Sequence, residues 1–422
     1  MADAPDSRSS TRASLVVTFA SIAAAALGNV AAYKIVAVLS DPVLLSDYSV
    51  DRRYLAFLIP ILGLGGGVAI PLRIAIRPVM EESLRILCVQ LVAAAGIATL
   101  LLAALALVPE DRWASALPDT DALRLAVIVV MAYASNCTAM LYAFQRGLMR
   151  FREGAWLLVL ANGVFPALAA VAVLQSVELT FLLWAACSAV LAAFVLLRLP
   201  RPTRGRIPNL GSLVRSALGR VPGDLAYAAL FLLPVSQYAA AGAPTREAVF
   251  NYFFVMLGVL TAAASPIAIV MLPLIGARVA THGRAAARRV VLANFVVASI
   301  CGIVVFAGLR WLAGPLLTVL LSRQYASEAD LLSTLAPAAL GVALFVFLRT
   351  TVDGLGERPL VAGICVMSLA VFVGLRLATG GWSLESSIVL STNVSLGVLG
   401  LTTAAVSWVM FSRSGPAVSP GS

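Results

Sequence analysis

Lys34 is the single lysine in 422 residues, and it stands in LGNVAAYKIVAVL (27–39), a stretch whose other polar side chains are Asn29 and Tyr33. A cation near the centre of a membrane helix costs about 2.5–3.5 kcal/mol on insertion scales, so it is kept where it meets water, headgroups or a charged partner. Three uses stay open: its stem snorkels to the headgroups, its ammonium holds an anionic ligand, or it pairs with Asp41 or Asp51. Arg73, Arg146 and Arg349 stand at the ends of apolar runs, suited to interface anchoring or to contact with an anionic headgroup. Arg52 and Arg53 follow Asp51 directly, which suits local pairing or a place at an outer exit. Arg220 and Asp224 are four apart, the spacing of an intrahelical salt bridge or of a proton-coupling pair. Asn29, Tyr33, Gln237 and Asn251 could bond to a hydroxyl-rich ligand or to neighbouring helices. Asn29 and Tyr33 share a helix face, whereas Lys34 lies about 140° round from Asn29.

Other chemistry has little to work with. The one histidine, His282, sits in a basic loop, and the five cysteines all fall inside apolar runs without a CxxC. Buried thiols acting as small hydrophobes are the expectation, with no metal and no cofactor. No GxxxxGK[ST] loop is present, so nucleotide hydrolysis is not expected of this chain.

The elements that must carry these residues are legible from composition. Hydrophobic residues make up 61% and charged residues 12% of the chain, and its mean hydropathy is +0.98. Runs of about 20 apolar residues can each cross a bilayer core as a helix, while the short alternating segments of a membrane barrel are absent. Twelve spans are expected, near 13–38, 54–72, 86–108, 123–144, 155–175, 179–197, 216–239, 248–275, 289–314, 331–351, 359–379 and 386–411. The first is read as a retained helix, not a signal peptide. Arginine is concentrated in alternate connections, above all RLPRPTRGRIPNLGSLVR (198–215), whereas the others carry acids, as in PEDRWASALPDTD (109–121). That bias places both termini in the cytoplasm of a bacterium whose inner membrane the chain crosses. It also accounts for the net charge of +10 without a nucleic-acid partner.

The two halves echo one another. QRGLMRFREGAWLLVLANG (145–163) and VDGLGERPLVAGICVMS (352–368) each place GL before a charged cluster and a new apolar run, and SDYSVDRRYLAF (46–57) resembles APTREAVFNYFF (243–254). The fold expected is an all-α integral membrane protein of about twelve helices in two six-helix lobes, 13–198 and 216–411, related by a pseudo-twofold axis. A basic cytoplasmic linker, 199–215, joins them, between cytoplasmic tails 1–12 and 412–422.

In their order and spacing, these motifs, with GRVPGDLAYAALFLLP (219–234) and LLSRQYASEADLLSTLAPAAL (320–340), resemble the polysaccharide transporter and oligosaccharide flippase branch of the multidrug/oligosaccharidyl-lipid/polysaccharide (MOP) superfamily. The turn before the second span and the Ser236–Gln237 pair depart from that family's pattern. The resemblance implies transfer of a polyprenyl-diphosphate-linked glycan between leaflets by alternating access, by a monomer without covalent catalysis. Membrane lipids, the lipid-linked glycan and glycan-assembly enzymes would be its partners. It implies that cations and amides of the spans would meet the diphosphate and sugar. Two rivals remain open: a cation-coupled drug exporter of the same superfamily, which would want a carboxylate deep in the first lobe, and a membrane-embedded glycosyltransferase or polymerase, which would want catalytic acids in a sizeable outer loop.

Overall fold

The computed structural model describes residues 7–67, 70, 74, 79–108, 121–200, 210–239, 244–355 and 360–412, and these are helical with short connections. Nine of the described helices are long and apolar enough to cross a membrane. The chain is an all-α, multi-pass membrane protein. It divides into two compact units, Met1–Ala228 and Ala229–Ser422.

The first unit holds α1 (Ser7–Leu39), α2 (Pro42–Gly63), α3 (Met80–Leu107), α4 (Ala122–Gly147), α5 (Phe151–Leu174), α6 (Val177–Arg198) and α7 (Leu210–Leu218). Their starts are fixed locally. Asp41 accepts from the Leu44 N–H at 2.8 Å, Asp121 from Arg124 at 2.6 Å and Ser176 from Leu179 at 3.0 Å, each satisfying a donor that the first turn leaves over. Ile74, Leu87, Leu141 and Phe144 are buried together between α3 and α4. Helices α1 and α5 meet at backbone distance, since a Cβ on Gly28 would collide with the Gly163 backbone.

α8 (Val221–Ala239) carries the boundary between the units. The second unit continues with α9 (Pro244–Trp311), α10 (Ala313–Leu320), α11 (Ala329–Leu355), α12 (Leu360–Ala378) and α13 (Leu384–Ser412). α11 and α13 pack through Gly341 and Gly400, where an added Cβ on either would strike the opposing backbone. Tyr238 stacks on Phe250 at 4.5 Å, and Phe250, Phe253 and Phe254 fill the core beside it.

Three expectations of the sequence need correction. The second helix begins at Pro42, twelve residues before the expected 54, because Asp41 caps it and Pro42 occupies its first position with φ already helical. The chain from 276 to 288, expected as a loop, is helical within α9, since its alanines and arginines are strong helix formers. The run expected at 216–239 is split between α7 and α8 by a turn at Gly219–Arg220.

At one end of each unit an arginine ties helix starts together. In the first, Arg124 of α4 donates from Nε to both oxygens of Asp51, at 2.8 and 2.9 Å, and from an Nη to Asp47 at 3.2 Å, both on α2. In the second, Arg246 of α9 meets Glu328 at 2.5 Å, Asp330 at the start of α11 at 2.9 Å and Glu385 at the start of α13 at 2.6 Å. Hydrogen bonds to these carboxylates, Glu385 foremost, hold the Arg246 pKa above the usual arginine value although burial works against them.

Candidate functional site

Arg52 lies ten residues, about 15 Å, into α2. Its guanidinium is set over the Trp184 ring at 4.5 Å, with the Tyr33 ring at 5.5 Å and the Tyr48 ring at 5.8 Å. It donates to Tyr48 Oη at 3.2 Å and to Asn29 Oδ1. Among the described residues no carboxylate stands within ion-pair distance of it; the neighbouring Asp51 is taken by Arg124. Aromatic faces attract a cation without neutralising it, and neutral acceptors leave its full charge in place. Arg52 therefore keeps a positive potential in apolar surroundings, with N–H groups to spare beyond the two that bond Tyr48 and Asn29.

What holds this cage can be traced to one proline. Pro166 has no N–H to give to the Asn162 carbonyl one turn earlier, and its ring crowds that carbonyl. The helix responds with a π-turn over Leu160–Val164, in which the Phe165 N–H reaches back to Leu160 and passes over Ala161. Both skipped carbonyls find side chains instead. Ala161 accepts from Trp184 Nε1 at 2.9 Å, and Asn162 accepts from Asn29 Nδ2 at 2.6 Å. The amide of Asn29 thus faces α5 with its nitrogen and Arg52 with its oxygen. The contact at Gly28–Gly163 brings α1 near enough to α5 for that bond.

The aromatic walls also brace one another. Tyr33 meets Tyr48 edge-on at 5.2 Å, Tyr48 meets Phe181 at 5.5 Å, and Phe181 stacks on Trp184 at 6.2 Å. Four helices, α1, α2, α5 and α6, therefore fix one guanidinium.

Of the residues singled out in the sequence, Asn29, Tyr33 and Arg52 come together here, with Arg53 half-buried at the next position of α2. Arg52 and Arg53, expected in the connection before the second span, lie inside α2. Local pairing of Asp51 with them gives way to the ion pair with Arg124. Lys34 is half-buried on α1 one residue past Tyr33. Arg146 sits over the Tyr142 ring at 5.4 Å and Arg349 over the Phe345 ring at 5.8 Å, each one turn along its own helix. Gln237 accepts from Arg376 at 2.8 Å, and Asn251 is fully buried in the second unit. Arg220 and Asp224 are joined by a backbone bond of 3.1 Å at the start of α8. Arg73 lies outside the described residues. Sequence reasoning missed Trp184 and Tyr48. The signal for Trp184 was Pro166, whose π-turn also frees the Ala161 carbonyl, five residues before it; Tyr48 stands one turn before Arg52.

No family model and no curated protein matches the sequence. Solved structures do. A MOP-superfamily transporter from Pyrococcus furiosus aligns at a TM-score of 0.69 with 16% identity, over 94% of this chain and 95% of that one. A multidrug-resistance MATE-family transporter of the same superfamily aligns in its inward-facing form at 0.66, over 94% and 96% of the two chains, and in its outward-facing form at 0.69, over 94% and 95%, both at 16% identity. This chain has their fold. Those neighbours are transporters described as members of the MOP superfamily, one of them of its MATE family.

Proposed function

We propose that this protein is an exporter that carries a polyprenyl-diphosphate-linked oligosaccharide from the inner to the outer leaflet of a bacterial inner membrane by alternating access, without covalent catalysis. The observation that carries the reading is Arg52, a cation deep in the first unit held by aromatic faces and neutral acceptors. A diphosphate is doubly suited to it: guanidinium matches phosphate oxygens in a planar fork, and an unpaired cation in apolar surroundings gains most from a bound anion. In this reading both termini are cytoplasmic, the chain acts as a monomer, and glycan-assembly enzymes supply its cargo.

Cation-coupled export of drugs is the second reading, and the fold shared with a multidrug-resistance MATE-family transporter supports it. Within that reading the sign of the charge at Arg52 disfavours a cationic cargo, which it would repel.

The test is complementation of a depleted host by wild type, Arg52→Gln and Arg52→Lys, with the lipid-linked intermediate measured on each leaflet. Arg52→Gln is expected to leave the intermediate on the inner leaflet, and Arg52→Lys to recover part of the transfer. Normal outward transfer with Arg52→Gln would overturn the reading. Polymer lost while the intermediate still reaches the outer leaflet would favour the enzyme class.

A further inference from the structure

A second arginine, in the second unit, repeats the chemistry of Arg52 in a place that the export reading does not use. Arg376 lies in the last turn of α12. Its Nε donates to Gln237 Oε1 of α8 at 2.8 Å, and one Nη donates to Ser387 Oγ near the start of α13. Ser387 in turn shares a hydrogen bond with Thr379 Oγ1, whose other bond goes to the Leu375 carbonyl at 2.7 Å. Gln237 and Ser387 thereby hold the guanidinium from two sides, while the other Nη bonds nothing among the described residues.

The acids nearby in sequence make this arrangement informative. Glu385 stands two residues before Ser387, and with Glu328 and Asp330 it goes to Arg246. One arginine at this end of the unit thus has three carboxylates, and the other has none among the described residues. Neutralising Arg376 would have taken a single one of them. Its charge is instead held in position by an amide oxygen and a hydroxyl oxygen that accept from it, and its unspent N–H groups remain able to donate to an oxyanion. In the hairpin that follows, the Ser383 hydroxyl donates to that of Ser386 at 2.8 Å, and Trp382 is 59% exposed.

We propose that Arg376, with Gln237 and Ser387, forms an oxyanion-binding site of the second unit, taking a phosphate or the carboxylate of an acidic sugar. The site stands on its own geometry. Only the natural source of the anion, the lipid's diphosphate or an acidic residue of its glycan, rests on the export reading.

The test is binding of inorganic phosphate and of D-glucuronate to the purified full chain in detergent, at constant ionic strength, by calorimetry and by the shift in apparent Tm. Wild type should bind at least one of the two, and Arg376→Gln should weaken that binding by about tenfold or more, as expected for a lost charged hydrogen-bonding group. Should Arg376→Gln fail to fold, Ser387→Ala and Gln237→Leu serve, each expected to weaken binding less. Arg52→Gln is titrated beside them and should retain the component that Arg376 provides. Phosphate alone would mark a headgroup site, and glucuronate alone a site for acidic sugar. Binding of neither by wild type, or equal binding by the Arg376, Ser387 and Gln237 variants, overturns the proposal. Loss of outward transfer in Arg52→Gln cells has no bearing on this outcome, so the two readings fail separately.

Discussion

A charged side chain within a membrane protein is defined by what it is given to hold. Arg52 and Arg124 stand near one another in the first unit and have opposite arrangements. Arg124 is spent on Asp51, whose side chain is 1% exposed, and Asp47. Removing one member of such a pair leaves the other charged and buried, a loss of about 3–5 kcal/mol. Arg124→Met is therefore expected to lower the apparent Tm in detergent strongly, and the double variant Asp51→Asn/Arg124→Met to recover most of the loss, since the stranded carboxylate is gone. Equal Tm values for the single and double variants would show that the stranded carboxylate is not the source of the loss. Arg52 should behave the other way. Its neutral surroundings tolerate Arg52→Gln with a small change in Tm, and the effect should appear in transport.

Elements decide whether those residues meet. α5 supplies no charge to the cage and yet positions it, through the π-turn that Pro166 imposes. Pro166→Ala restores an N–H that can bond to the Asn162 carbonyl, competing with Asn29 for it. The expectation is an intact, folded protein with outward transfer reduced by about tenfold, the cost of roughly one well-placed hydrogen bond to a charged network; unchanged transfer would remove the π-turn from the account. Gly28→Ala tests the same geometry from α1, where the new methyl collides with the Gly163 backbone. It should lower both Tm and transfer, because α1 must move away from α5.

Much of this level was legible before any coordinates. The apolar runs gave most of the spans, and the i,i+4 spacing of Asn29 and Tyr33 put them on the face that meets Arg52. The start of α2 was not legible, because Asp47, Asp51, Arg52 and Arg53 interrupt the hydropathy by which a span is recognised. The Asp41–Pro42 pair was the available signal. Nor could the role of Pro166 be read beyond a kink, since its effect passes through carbonyls to residues 133 and 23 positions away.

At the scale of the whole molecule the two units use one device with the charges exchanged. In the first, α2 brings the acids and α4 the arginine; in the second, α9 brings the arginine, and the acids come from the starts of α11 and α13 and from the turn before α11. The halves that echo one another in sequence thus have corresponding ties of opposite polarity, which sequence similarity alone does not display. Arg246 retains two acids when one is lost, so Glu328→Gln, Asp330→Asn and Glu385→Gln should each change the apparent Tm little. Arg246→Met leaves three acids facing one another and should lower it far more; a similar effect from any single acid would show that the three do not act as a set.

The proline in α5 has a consequence for how this chain can change over generations. One imino ring governs the attitude of an amide on α1, an indole on α6 and, through both, a guanidinium on α2. A heritable replacement there would be felt on three other rods at once. The substitutions able to rescue it would have to arise on those rods, so the histories of positions 29, 52, 166 and 184 should be bound together despite their separation along the gene.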